Sequence, residues 1–87
     1  MNTYVKKSDK IKGFQYLVDD TPDSFLTASN VHMCVSEQDN TRVAIIIDEY
    51  TNKVSTIATK GEYILYDKDG DTLVRPRSAF EREYIQL

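Results

Sequence analysis

Residues 67–71, Asp-Lys-Asp-Gly-Asp, set three carboxylates at alternate positions, the spacing with which a loop turns oxygen ligands toward one hard cation. An EF-hand loop puts its glycine directly after the third acid and a bidentate glutamate at position twelve. Here Gly70 precedes Asp71, Thr72 stands where the glycine belongs and Ser78 where the glutamate belongs. Asp-Gly between two β-forming runs is instead a hairpin signal, and a turn built on Asp69-Gly70 is the expectation.

His32 and Cys34 are the only strong soft-metal ligands of the chain, two apart and so on one face of a strand. A closed zinc site needs four ligands, so this pair would require a carboxylate such as Glu37 or a second copy of the chain. As a nucleophile and base they lack an orienting third group and an oxyanion hole. No metal, cofactor or catalytic residue is assigned, and the chain reads as non-enzymatic.

Arg75, Arg77 and Arg82, near Tyr63 and Tyr66, could grip a phosphate backbone and stack a base. Asp71, Glu81 and Glu83 are interspersed with them, and such mixtures form solvated ion pairs. The lysine-bearing first residues read as a solvated arm.

The remaining charge is acidic and concentrated. The chain of 87 residues has net charge −3, and residues 14–59 hold seven acids against Arg42 and Lys53. Those acids, Asp19, Asp20, Asp23, Glu37, Asp39, Asp48 and Glu49, fall in three loops or strand ends. A meander would gather some of them at one sheet edge as a negative patch suited to the basic surface of a nucleic-acid-binding protein. The same balance argues against sequence-independent nucleic-acid binding, which needs a basic face.

These groups need a scaffold, and the length permits one domain with one core over residues 1–87. A lone cysteine and a polar first segment point to a reducing, cytoplasmic setting without a signal peptide or a membrane span. A homodimer is compatible with so small a chain.

Residues 10–18, KIKGFQYLV, read as a strand with Phe14, Tyr16 and Val18 on one face and a bulge at Gly13. Thr21-Pro22-Asp23 reads as a helix start with Thr21 as N-cap, opening a short helix over 22–28. Residues 31–35 form the next strand. Residues 43–47, VAIII, are apolar on both faces and belong in the middle of a sheet covered on at least one side. Residues 54–59, 62–66 and 72–74 complete a meander through turns at 51–53, 60–61 and 69–70. Ser78 and Glu81 match a capping box, and Phe80, Tyr84 and Leu87 would line one face of a terminal helix. The expected architecture is α+β: a five- or six-stranded, mainly antiparallel sheet with a short helix after the first strand and a C-terminal helix.

TYVKKSDKIKGFQYL and KGEYILYDKDGDTLVRPRSAFEREY resemble the opening and ending of a family of small uncharacterised phage and prophage proteins. That family reads Lys-Lys, a strand, then Phe-Gln-aromatic, and closes with Gly-acid-Tyr-Ile, a proline, and Phe and Tyr four apart. The resemblance implies a phage or prophage origin, a bacterial host cytoplasm and a shared framework, with no activity attached. The expected function is a phage-encoded protein-binding module acting through its acidic surface. Its sharpest form is an inhibitor of a host defence nuclease, similar in kind to small acidic anti-CRISPR proteins. The alternative is a nucleic-acid-binding accessory protein of phage replication or regulation.

Overall fold

The structure, a computed structural model, describes residues 1–7, 9–38 and 40–87. The elements run β1 Asn2–Lys6, β2 Asp9–Gln15, α1 Asp23–Leu26, β3 Val31–Val35, β4 Arg42–Asp48, β5 Lys53–Ala58, β6 Tyr63–Tyr66, β7 Thr72–Arg75, α2 Arg77–Glu83 and β8 Ile85–Gln86. The class is α+β, and the strand pairings are antiparallel. In place of a single meander there are two sheets, ordered β7-β6-β2-β1-β8 and β3-β4-β5.

The division begins where β2 stops. Leu17 adopts a left-handed backbone (φ 60°), and the Asp19 carboxylate accepts the Gln15 amide at 2.8 Å, closing a turn. The strand therefore ends at Gln15, before the expected residue 18, and Val18 is exposed while Phe14 and Tyr16 are buried. The chain then leaves the larger sheet and returns beside its point of departure. The Tyr16 amide donates to the Glu62 carbonyl at 2.8 Å, and the Gly61 amide to the Tyr16 carbonyl at 2.9 Å. Everything between, including the three-stranded sheet, is an excursion from this neck.

The N-terminal segment is an interior strand and not a solvated arm. β1 pairs with β2 from Asn2↔Gly13 to Lys6↔Asp9 and with β8 on its other side. Its one buried side chain, Tyr4, gives too little apolar periodicity to stand out among lysines. Gly13 is not a bulge either, since its register to both neighbours is regular. The irregular site is between Ile46 and Ile47, where β5 spends the extra residue Ser55.

Both helices start on proline instead of on a hydroxyl. Pro22 and Pro76 occupy the N-cap positions with ψ of 142° and 144°, and neither helix has a side-chain cap, so Thr21 does not cap α1. Because α2 already begins at Arg77, Ser78 lies within its first turn and the capping box does not form. Phe80 is buried and Tyr84 half-buried, but the chain turns extended at Tyr84 and Leu87 is exposed.

The core has two parts. Phe14, Tyr16, Phe25, Ala44, Ile46, Ala58 and Ile64 pack between the sheets. Tyr4, Tyr63, Leu65 and Phe80 pack under α2 on the opposite face of the larger sheet. No helix among the described residues is long and apolar enough to cross a membrane.

Candidate functional site

The carboxylates divide into those that build turns and those that do not. Asp19 accepts from Gln15 and, at 3.0 Å, from the Asn2 amide nitrogen, which also donates to the Tyr4 hydroxyl. Asp48 accepts the Tyr50 and Thr51 amides at 2.8 and 3.2 Å. Glu62 accepts the Thr59 amide and hydroxyl, and Asp67 accepts the Asp69 and Asp71 amides. In each case a charge neutralises orphan N–H groups at a bend, so these residues shape the surface more than they are free to act on it.

The 67–71 stretch is accordingly a turn. Gly70 has φ +84° and donates its amide to the Asp67 carbonyl at 3.0 Å. Asp69 stays out of the left-handed region, so one residue of the expected pair carries the conformation.

Asp20, Asp23 and Glu49 are exposed, and their carboxylates make no hydrogen bond or ion pair with the described residues. Glu49 and Asp20 line two depressions that share Met1, and Asp23 adjoins Ser24 of the larger one, which together make the acidic end. A cleft of about 640 Å³ runs between α1, the β4–β5 turn and the β6–β7 turn, and its walls include Asp48, Glu49, Tyr50 and Asp71 over Ile46 and Tyr66. A smaller depression beside it holds Asp19 and Asp20, and Met1 lines both. Ser24, next to Asp23 on α1, also faces the cleft. Tyr50 is fully exposed at this rim, at 101% of its reference area.

Two expected members do not join. Glu37 lies in the β3–β4 turn, at the other end of β4 from Asp48, roughly 20 Å along the strand. Asp39 is outside the described residues. Asp71 was not among the expected contacts; the signal was its place across the β6–β7 turn from Tyr66.

Two of the three arginines of the basic segment are occupied, and Arg75 is exposed without a side-chain partner among the described residues. Arg77 Nε donates to Glu81 at 3.0 Å, Arg82 Nε to the Ser78 carbonyl at 3.4 Å, and Lys6 meets Glu83 at 3.3 Å. Glu81 raises the Arg77 pKa, holding that guanidinium charged. Tyr63 is buried and donates to Glu81 at 3.3 Å, so its ring offers no stacking surface. His32 and Cys34 are both exposed on β3, and no group of three or more possible metal ligands is found among the described residues.

No family model matches the chain, and comparison with curated proteins and with solved structures finds no match to it.

Proposed function

We propose that the chain is a non-enzymatic protein-binding module that offers its acidic end to a basic protein surface. What carries this reading is the cleft that puts Glu49 and Asp71 beside the wholly exposed ring of Tyr50, with Asp20 in the adjoining depression. Exposed tyrosines supply a large contact at little conformational cost, and acids around them speed encounter with a cationic patch. The resemblance to phage proteins directs the choice of partner to a host nucleic-acid-binding protein, such as a defence nuclease. Covering that partner's nucleic-acid surface would inhibit it.

The test is retention from a bacterial lysate followed by measurement with the purified partner. Asp20→Lys, Glu49→Lys and Asp71→Lys together should abolish retention, and Tyr50→Ala should weaken it about tenfold or more. Asp19 and Asp48 are left in place because they hold turns. A partner retained equally by the triple variant would sink the acidic-surface reading.

A further inference from the structure

The cleft at the acidic end is also where the larger sheet stops. β7 is the outermost strand of that sheet and pairs with β6 on one side only. The Asp67 amide donates to the Asp71 carbonyl at 3.1 Å, which fixes the alternation of the ladder beyond it. Leu73 and Arg75 therefore aim their peptide groups at β6, and Thr72 and Val74 aim theirs away from it. Neither the amides nor the carbonyls of Thr72 and Val74 have a hydrogen-bond partner among the described residues.

This open edge reaches the cleft. Thr72 is one of its wall residues, together with Gly70 and Asp71 just before it. The facing wall belongs to the smaller sheet, through Ser55 of β5 and the β4–β5 turn, and no strand of that sheet pairs with β7. Exposed edges are ordinarily blunted by lysine, proline or a bulge. Thr72, Leu73 and Val74 carry none of these, and their register to β6 is regular.

We infer that the cleft takes an extended peptide segment bearing lysine or arginine, which adds to β7 as a further strand and sets its cationic side chains against Asp71 and Glu49. The inference rests on the reading of the acidic end as the contact for a basic partner, and it makes that contact a strand-forming tail or loop of the partner instead of a flat surface. A row of alternating backbone donors and acceptors is satisfied along its length by another extended backbone. The sign of the side chains follows from charge complementarity, since the carboxylates of Asp71 and Glu49 are without a partner among the described residues. The same carboxylates repel a phosphate chain. Below them Ile46 and the Tyr66 ring supply an apolar floor for the methylene stems of lysine or arginine.

Arg75 gives the segment a direction. It is an exposed cation at the far end of β7, so the incoming cations belong at the Asp71 end. In antiparallel addition that end receives the C-terminal half of the peptide.

The probe is the capped peptide Thr-Val-Thr-Val-Lys-Val-Lys, titrated into the full chain and followed by amide NMR. It should bind with a dissociation constant of roughly 10–1,000 μM, more weakly as salt rises. Hydrogen exchange at the Thr72 and Val74 amides should slow about tenfold or more with saturating peptide. N-methylation of one alternate set of peptide amides should abolish binding, and methylation of the other set should leave it intact, because a single edge is engaged. Replacing both peptide lysines by glutamate, or Asp71→Lys with Glu49→Lys in the protein, should each weaken binding at least tenfold. These variants alter carboxylates that hold no turn, and the methylated peptides leave the protein untouched.

Absence of binding at millimolar peptide, unchanged exchange at Thr72 and Val74, or equal sensitivity to the two methylated sets would each overturn strand addition. The wider reading fails separately. A lysate partner lost by the triple charge reversal, with a peptide that does not bind or that ignores methylation, leaves the acidic end as a contact made by charge alone and sinks only the added strand.

Discussion

Gly13 lies so close to Ile64 that a Cβ on the glycine would collide with the Ile64 carbonyl oxygen and, at 2.8 Å, with Leu65 Cδ2. The carbonyl belongs to a strand paired on both sides, so it has no room to retreat. Gly13→Ala should destabilise the fold by about 3 kcal/mol, at the upper end for overpacking. Chemical denaturation measures this, and a loss below roughly 1 kcal/mol would mean that β2 and β6 are less tightly apposed.

Phe80 joins one ring from each direction: Tyr63 stacks at 4.2 Å, Tyr84 at 4.5 Å, and Tyr4 meets it edge-on at 5.0 Å. Phe80→Ala removes the shared partner of all three. It should lower stability by about 3–5 kcal/mol, read as the shift in the denaturation midpoint.

Burial pushes the Tyr4, Tyr16, Tyr63 and Tyr66 hydroxyls above their ordinary pKa of 10.0, with Glu81 adding to the effect at Tyr63. The folded state therefore holds protons that the unfolded chain releases near pH 10. Stability should be unaffected by these groups below that pH and fall as pH rises through it toward the raised folded values. A thermal midpoint that stays level from pH 9 to 11.5 would contradict the burial of these phenols.

Asp19 and Asp20 are adjacent acids with different tasks. Asp19→Ala removes the acceptor for the Gln15 amide and the Asn2 side chain and should lower stability by about 1–2 kcal/mol. Asp20→Ala should leave stability within about 0.5 kcal/mol of the parent while weakening partner binding. The two variants compared in the same melt and the same binding assay separate turn from contact.

Asp67 gives a parallel case in the stretch spaced like a calcium loop. Asp67→Ala should lower stability by about 1 kcal/mol, since two amides lose their acceptor, whereas Asp69→Ala should be nearly neutral. The melting temperature measured with and without added calcium checks the turn assignment directly, and a calcium-dependent rise would reject it.

Local chemistry made much of this fold readable in the sequence. The VAIII run announced a central strand, and β4 is the middle of its sheet. The turn at Gly70, the apolar pair Phe14 and Tyr16, and a helix after Pro76 that buries Phe80 follow from φ preference and periodicity, although that helix stops at Glu83 and a short strand follows it. The two-sheet division did not show, because it depends on Leu17 adopting a left-handed backbone, which a leucine does not advertise. Nor did β1 and β8, whose pairing rests on neighbours about eighty positions apart. At the acidic end the residue types were visible, but their separation into turn acceptors and exposed charges required knowing which amides each carboxylate reaches.

The pairing of β1 with β8 also bears on time. The β3-β4-β5 sheet closes through short turns, each a rapid local search, whereas the other sheet gains its last strand only when residues from opposite ends of the sequence meet, as in the Leu87 amide's 2.9 Å bond to the Thr3 carbonyl. Long loop closures are repaid late, so refolding should show the small sheet's amides protected from hydrogen exchange before those of β8, whereas β1 is already paired with β2, its neighbour in sequence. The chain completes its smaller sheet before the edge strand that completes its larger one.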